Sequence, residues 1–194
     1  DSISREIRSK GSIPFMFGGE HSLTLGNLRS IDGISLLVFD AHLDYRKEYM
    51  ESDGHACVTR RVCEECPVKK ITVLGARSFS KEESVEAKKA IDFYPPGEVK
   101  RGLDEFLSGA EEVYISMDMD AIDPSYAPGV GNPEPCGISP SLMMELLGKV
   151  IDSRKIVGLD LVEISPPFDC NDTTSLLGAW IAKETIGRIL AKSQ

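Results

Sequence analysis

Short apolar runs alternate with amphipathic or polar stretches along most of this chain. Residues 13–17, 34–39, 71–74, 91–94 and 156–162 are brief and apolar, and a further run begins at Val113; each predicts a strand. Between them the pattern predicts helices over 81–90, 99–107, 141–151 and 174–190. A short helix is expected from Ser22, as its cap, to about Arg29, and another opens within 55–61. Strands separated by helices make βαβ units, so the expected fold is α/β: three layers, αβα, with a mainly parallel sheet. Residues 45–54 read as a polar surface loop. Residues 121–140, rich in proline and glycine, read as a long loop, and a loop of that length inside a compact domain is usually functional. With no linker, repeat or low-complexity segment, residues 1–194 are expected to form one domain.

Chemistry enters where the apolar runs stop. The run 34–39 ends in Asp40-Ala41-His42-Leu43-Asp44, three metal-ligand types at alternate positions. In an extended chain, residues two apart share a face and lie about 6.5 Å apart. The run from Val113 ends in Asp118-Met119-Asp120, and the run 13–17 leads through two glycines to His21. Glu163 follows the run 156–162. Parallel sheets bind ligands at the carboxyl ends of their strands, where all seven residues fall. Any one such aspartate is more commonly a cap or a surface group. Six ligand types converging on one crevice point instead to metal. Four crowded carboxylates repel one another, and two divalent ions would balance them and activate a water. Imidazole and carboxylate without thiolate favour Mn²⁺ over a structural zinc site and leave Co²⁺, Fe²⁺ and Zn²⁺ open.

Composition narrows the partners. The net charge of −9 argues against nucleic acid and suits metal ions or a cationic ligand. No apolar run reaches the length of a membrane span. The five cysteines are too irregular for a disulfide framework, so a reducing cytoplasm is expected, with Cys63 and Cys66 as ordinary thiols. Asp123, before Pro124, reads as a turn former, and Asp160 as structural.

The segments Gly18-Gly19-Glu20-His21-Ser22, Asp40-Ala41-His42-Leu43-Asp44 and Ser116-Met117-Asp118-Met119-Asp120-Ala121-Ile122-Asp123-Pro124 resemble the signature motifs of the ureohydrolases, the arginase and agmatinase family. Residues 127–131 and 158–163 match as well, in order, from about residue 13 to the end. The resemblance implies an arginase-like fold and two Mn²⁺ per chain, held by His21, Asp40, His42, Asp44, Asp118 and Asp120. It implies hydrolysis of a guanidino group to urea and an amine, with Glu163 gripping the guanidinium. Asp44 would pass a proton to the leaving nitrogen, and His55 would shuttle one to the departing amine. A homo-oligomer is expected on the same ground, as is an amino-terminal portion that this chain lacks. The stretches 44–49 and 55–61 resemble agmatinases more than arginases, which predicts agmatine as substrate and putrescine as product. Arg46 keeps arginase-type or guanidinobutyrate substrates open. Asn132 and Cys136 depart from the family pattern. A phosphoesterase and a non-catalytic metal-binding relative are the competing readings.

Overall fold

Every residue of β2 (Ser35–Phe39) is buried, although successive side chains of a strand leave on opposite faces. Both faces of the sheet must therefore be covered. In the computed structural model, which describes residues 2–48 and 54–192, they are. Leu37 and Phe39 pack with Ile115 and Met117 under three helices: α5 (Val99–Leu107), α6 (Pro140–Ser153) and α7 (Thr173–Lys192). Leu36 and Val38 pack with Ile71 and Val73 under α2 (Leu23–Leu28), α3 (Val58–Glu65) and α4 (Lys81–Ala87). The three layers follow directly from the apolar runs.

The sheet contains β1 (Phe15–Phe17), β3 (Lys70–Leu74), β4 (Asp92–Tyr94), β5 (Glu112–Asp118) and β6 (Lys155–Val162) besides β2, in the order β1-β6-β5-β2-β3-β4. All of its pairings are parallel. From β2 the chain winds outward through β3 to β4, then returns to place β5 on the other side of β2. The winding thus reverses between β2 and β5, which leaves a crevice beyond their carboxyl ends. Asp40 and Asp118 stand at the rim of that crevice.

Some local expectations change. Helix α4 stops at Ala87 because the following residues close tighter turns, with Lys89 N–H on Glu86 O and Ala90 N–H on Ala87 O. Ser22 begins α2 but its hydroxyl makes no bond to the helix backbone; it donates to Glu20 at 2.6 Å. Helix α1 (Ser2–Ser9) is not among the expected elements, and Ser4 is its sole buried residue. Tyr45, placed in a surface loop by the sequence, is buried; residues 49–53 of that loop lie outside the described residues.

Candidate metal centre

Strand β2 ends at Phe39, so residues 40–44 do not continue it as an alternating comb. They turn across the crevice, and Asp44 adopts a φ of 48° to do so. The carboxylates hold this turn themselves. Asp40 Oδ1 accepts the His42 N–H at 2.6 Å, Asp120 Oδ1 accepts the Ala41 N–H at 3.0 Å, and Asp118 Oδ1 accepts the Asp120 N–H at 2.8 Å. Each of these aspartates keeps its second oxygen for the crevice.

Two clusters result. His21 Nδ1 lies 3.1 Å from Asp40 Oδ2, 3.2 Å from Asp44 Oδ2 and 3.2 Å from Asp118 Oδ2. His42 Nδ1 lies 2.9 Å from Asp120 Oδ2 and 3.5 Å from Asp40 Oδ1. His21, Asp40 and Asp118 are close enough to share one ion, as are Asp40, His42 and Asp120, with Asp40 common to both. Despite their proximity, His21 Nδ1 and Asp40 Oδ2 are buried without a hydrogen-bond partner. Buried polar atoms left so are rare, and these two face a common space. Nitrogen and oxygen donors, orphaned and converging, fit a pair of divalent cations.

The electrostatics agree. Burial raises the pKa of Asp118, Asp120 and Asp44, reinforced by neighbouring carboxylates, and Asp44 is pushed up to about 7. For Asp40 burial is outweighed by the imidazoles of His21 and His42 on either side, which hold its pKa down. Burial would depress His21, but Asp118, Asp40 and Asp44 outweigh it and raise its pKa well above the usual value. Protons and metal ions compete for such a cluster.

Around it stand the other residues singled out by the sequence. Glu163, with a φ of 64°, accepts the His21 N–H on Oε1 at 2.7 Å, and its own N–H donates to Gly19 O at 3.0 Å. Burial raises its pKa. His55 donates its backbone N–H to Glu20 Oε1 at 2.6 Å, with Nδ1 2.9 Å from the same oxygen. An open pocket of about 170 Å³ is lined by His42, Asp44, Arg46, His55, Glu83 and Glu134, among others. Glu163 is not in that wall.

Sequence reasoning misses the supports. Arg77 donates to five carbonyls: Gly75, Ala121, Asp120, Glu134 and Pro135. Glu83 caps α4 and also accepts the Tyr45 N–H at 2.9 Å, which fixes the residue after Asp44. Glu134 accepts from Ser78 at 2.7 Å and lies 3.7 Å from His42 Nε2. The signal for Glu83 is in the sequence, as Ser80-x-x-Glu83 is a capping box; Arg77 has no comparable signature.

A doubly wound parallel sheet with paired histidine–aspartate clusters at its switch point defines a class of α/β proteins whose crevice offers two sets of metal-ligand types. Residues 2–187 match the model of the Arginase family, and the chain belongs to that family. It is 39% identical to the agmatine ureohydrolase of Thermoplasma volcanium, whose structure superimposes with a TM-score of 0.87 over 97% of this chain and 66% of that one. It is 35% identical to an N(1)-aminopropylagmatine ureohydrolase of Thermococcus kodakarensis, covering 91% of this chain and 62% of the relative. It is 38% identical to an uncharacterised 32.2 kDa protein of Methanothermus fervidus, covering 83% and 59%. The chain thus spans less than two thirds of the length of these curated relatives.

Proposed function

We propose that this chain carries the active site of a binuclear manganese hydrolase that splits a guanidino group into urea and an amine, with agmatine as substrate and putrescine as product. The observation that carries the reading is the pair of clusters sharing Asp40, with His21 Nδ1 buried and unpartnered between three carboxylates. His21, Asp40, Asp44 and Asp118 would hold one ion, and His42, Asp40 and Asp120 the other. Two divalent ions supply the positive charge that lets water act as a nucleophile near neutral pH.

The remaining steps belong to side chains. Glu163 engages the guanidinium: Oε1 is committed to the His21 N–H, and Oε2 points to the side of Gly131, where a Cβ would sit 3.8 Å away. A carboxylate there gives a charge-assisted contact with a planar cation. Asp44, oriented by its turn, takes the proton of the attacking water and passes it to the leaving nitrogen. His55, steadied by Glu20, protonates the amine as it departs. Glu83 and Glu134 in the pocket wall favour a cationic tail, and Arg46 Nε already has Glu83 Oε2 3.7 Å away. That pairing disfavours arginine or guanidinobutyrate, each of which presents a carboxylate.

The test is urea release by the Mn²⁺-loaded protein from agmatine, arginine and guanidinobutyrate in parallel. Agmatine is expected to be turned over best. No urea from any of the three would reject the reading, and guanidinobutyrate as the best substrate would assign Arg46 a carboxylate to bind.

A further inference from the structure

The two nitrogens of His21 have different neighbours. Nδ1 faces Asp40, Asp44 and Asp118, whereas Nε2 lies 2.9 Å from Ser116 Oγ. An imidazole offers a lone pair at Nδ1 only when its proton sits on Nε2, so the partner of Nε2 must accept. A serine hydroxyl can donate or accept, and by itself decides nothing. Asp160 decides it. The Ser116 hydroxyl donates to Asp160 Oδ1 at 2.6 Å, and having one proton, it has only lone pairs left for His21.

Asp160 is itself held in an acceptor role. Its Oδ2 accepts from Tyr114 Oη at 2.8 Å and Thr24 Oγ1 at 2.9 Å, and the residue is fully buried. Tyr114 Oη in turn accepts from Asn27 Nδ2 at 2.9 Å, and Asn27 Oδ1 accepts from Ser4 on α1. The register makes the chain of contacts: Ser116 on β5 lies opposite Asp160 on β6, and Tyr114, on the same face as Ser116, lies opposite Gly158. A Cβ at Gly158 would fall 2.6 Å from the Tyr114 ring, so a glycine is needed there for the tyrosine to lie across to Asp160. An acidic residue among the buried positions of β6 has no packing use that an apolar one would not serve better.

We propose that Asp160 is a positioning residue for the metal centre: acting through Ser116, it fixes the proton of His21 on Nε2 and so keeps the Nδ1 lone pair aimed at the ion. The inference rests on the metal reading given above. Its sharpest probe is Asp160→Asn. Two hydroxyls donate at the Oδ2 position, so the amide oxygen belongs there and the NH₂ faces Ser116. Ser116 must then accept from the amide and turn its proton toward His21 Nε2, which reverses the relay.

The experiment is a Mn²⁺ titration followed by the EPR signal of the free ion. In D160N the affinity of the site containing His21 is expected to fall about ten- to a hundredfold, with the His42 site changed less. Because Asp160 acts through the serine, D160N adds little to the loss already caused by Ser116→Ala. Wild-type affinity in D160N, or a loss that adds in full on top of S116A, overturns the proposal. Should D160N fail to fold, Ser116→Thr keeps the hydroxyl and its affinity while Ser116→Val loses it; equal affinity in that pair overturns the proposal too. Wild-type protein that takes up no Mn²⁺ would instead defeat the metal reading itself.

Discussion

Asp40 contributes an oxygen to each cluster, Oδ2 beside His21 and Oδ1 beside His42, whereas Asp120 approaches His42 and Asp118 approaches His21. Substitutions here are therefore unequal. Asp120→Ala is expected to lose one ion and most activity, and Asp40→Ala to lose both, as read by elemental analysis after gel filtration. His55→Ala is expected to keep both ions with reduced turnover, since its hydrogen bonds to Glu20 engage a residue outside the two clusters. Full activity of H55A across pH would remove the proton shuttle from the mechanism. The residues of these clusters are legible in the sequence because ligand types recur at the ends of apolar runs. Ser116 and Asp160 are hidden because their meaning lies in cross-strand register, which a single strand does not display. One clue exists in retrospect: Asp160 interrupts an otherwise apolar strand at a position that must point inward.

At the scale of elements, α5 occupies Val99–Leu107, the span that its pattern of apolar residues marks out. Its own Phe106 is fully buried, and Phe106→Ala should cost about 3–5 kcal/mol in denaturant unfolding. The start of α7 depends on Asp169, whose carboxylate accepts the N–H groups of Thr174 and Ser175 at 2.9 and 2.8 Å and the Ser175 hydroxyl at 2.8 Å. Against a desolvation cost, those donors bring its pKa down to about 2 from an ordinary 3.8. A lowered folded-state pKa stabilises above the unfolded value and is lost as pH falls through the folded one. Wild type should melt above Asp169→Ala at pH values over 3.8, and the gap in Tm should close as pH falls toward 2. A constant gap would show that the cap acts without its charge. The helices legible in the sequence carry an apolar stripe. Helix α1 sets Ile3 and Ile7 one turn apart but leaves Ile3 exposed, and its one buried residue, Ser4, bonds to Asn27.

At the scale of the whole molecule, the crevice gathers four buried aspartates that favour neither proximity nor dehydration, so cations should stabilise the fold as well as the chemistry. Mn²⁺ at a hundred times its Kd should add about 2.7 kcal/mol per independent site. Chelation with EDTA should lower Tm correspondingly, and an unchanged Tm would mean that nothing binds. Among the described residues no helix is long and apolar enough to cross a membrane. The sheet order and the switch between β2 and β5 are less legible than the strands themselves, because apolar runs announce a strand without naming its neighbours. The segment from Ala121 to Pro140 is long and poor in regular structure, the profile of a gate. Yet the Arg77 guanidinium fastens both of its ends at once, through the carbonyls of Ala121, Glu134 and Pro135, and anchors them to Gly75 beside β3. For that segment to swing outward, its carbonyls at Ala121, Glu134 and Pro135 would have to surrender one cation together. On the function proposed above, ligands would pass beside a fixed wall, and slow exchange of the Asp123 and Ile138 amides, bonded to Ile138 O and Ala121 O, would be its signature.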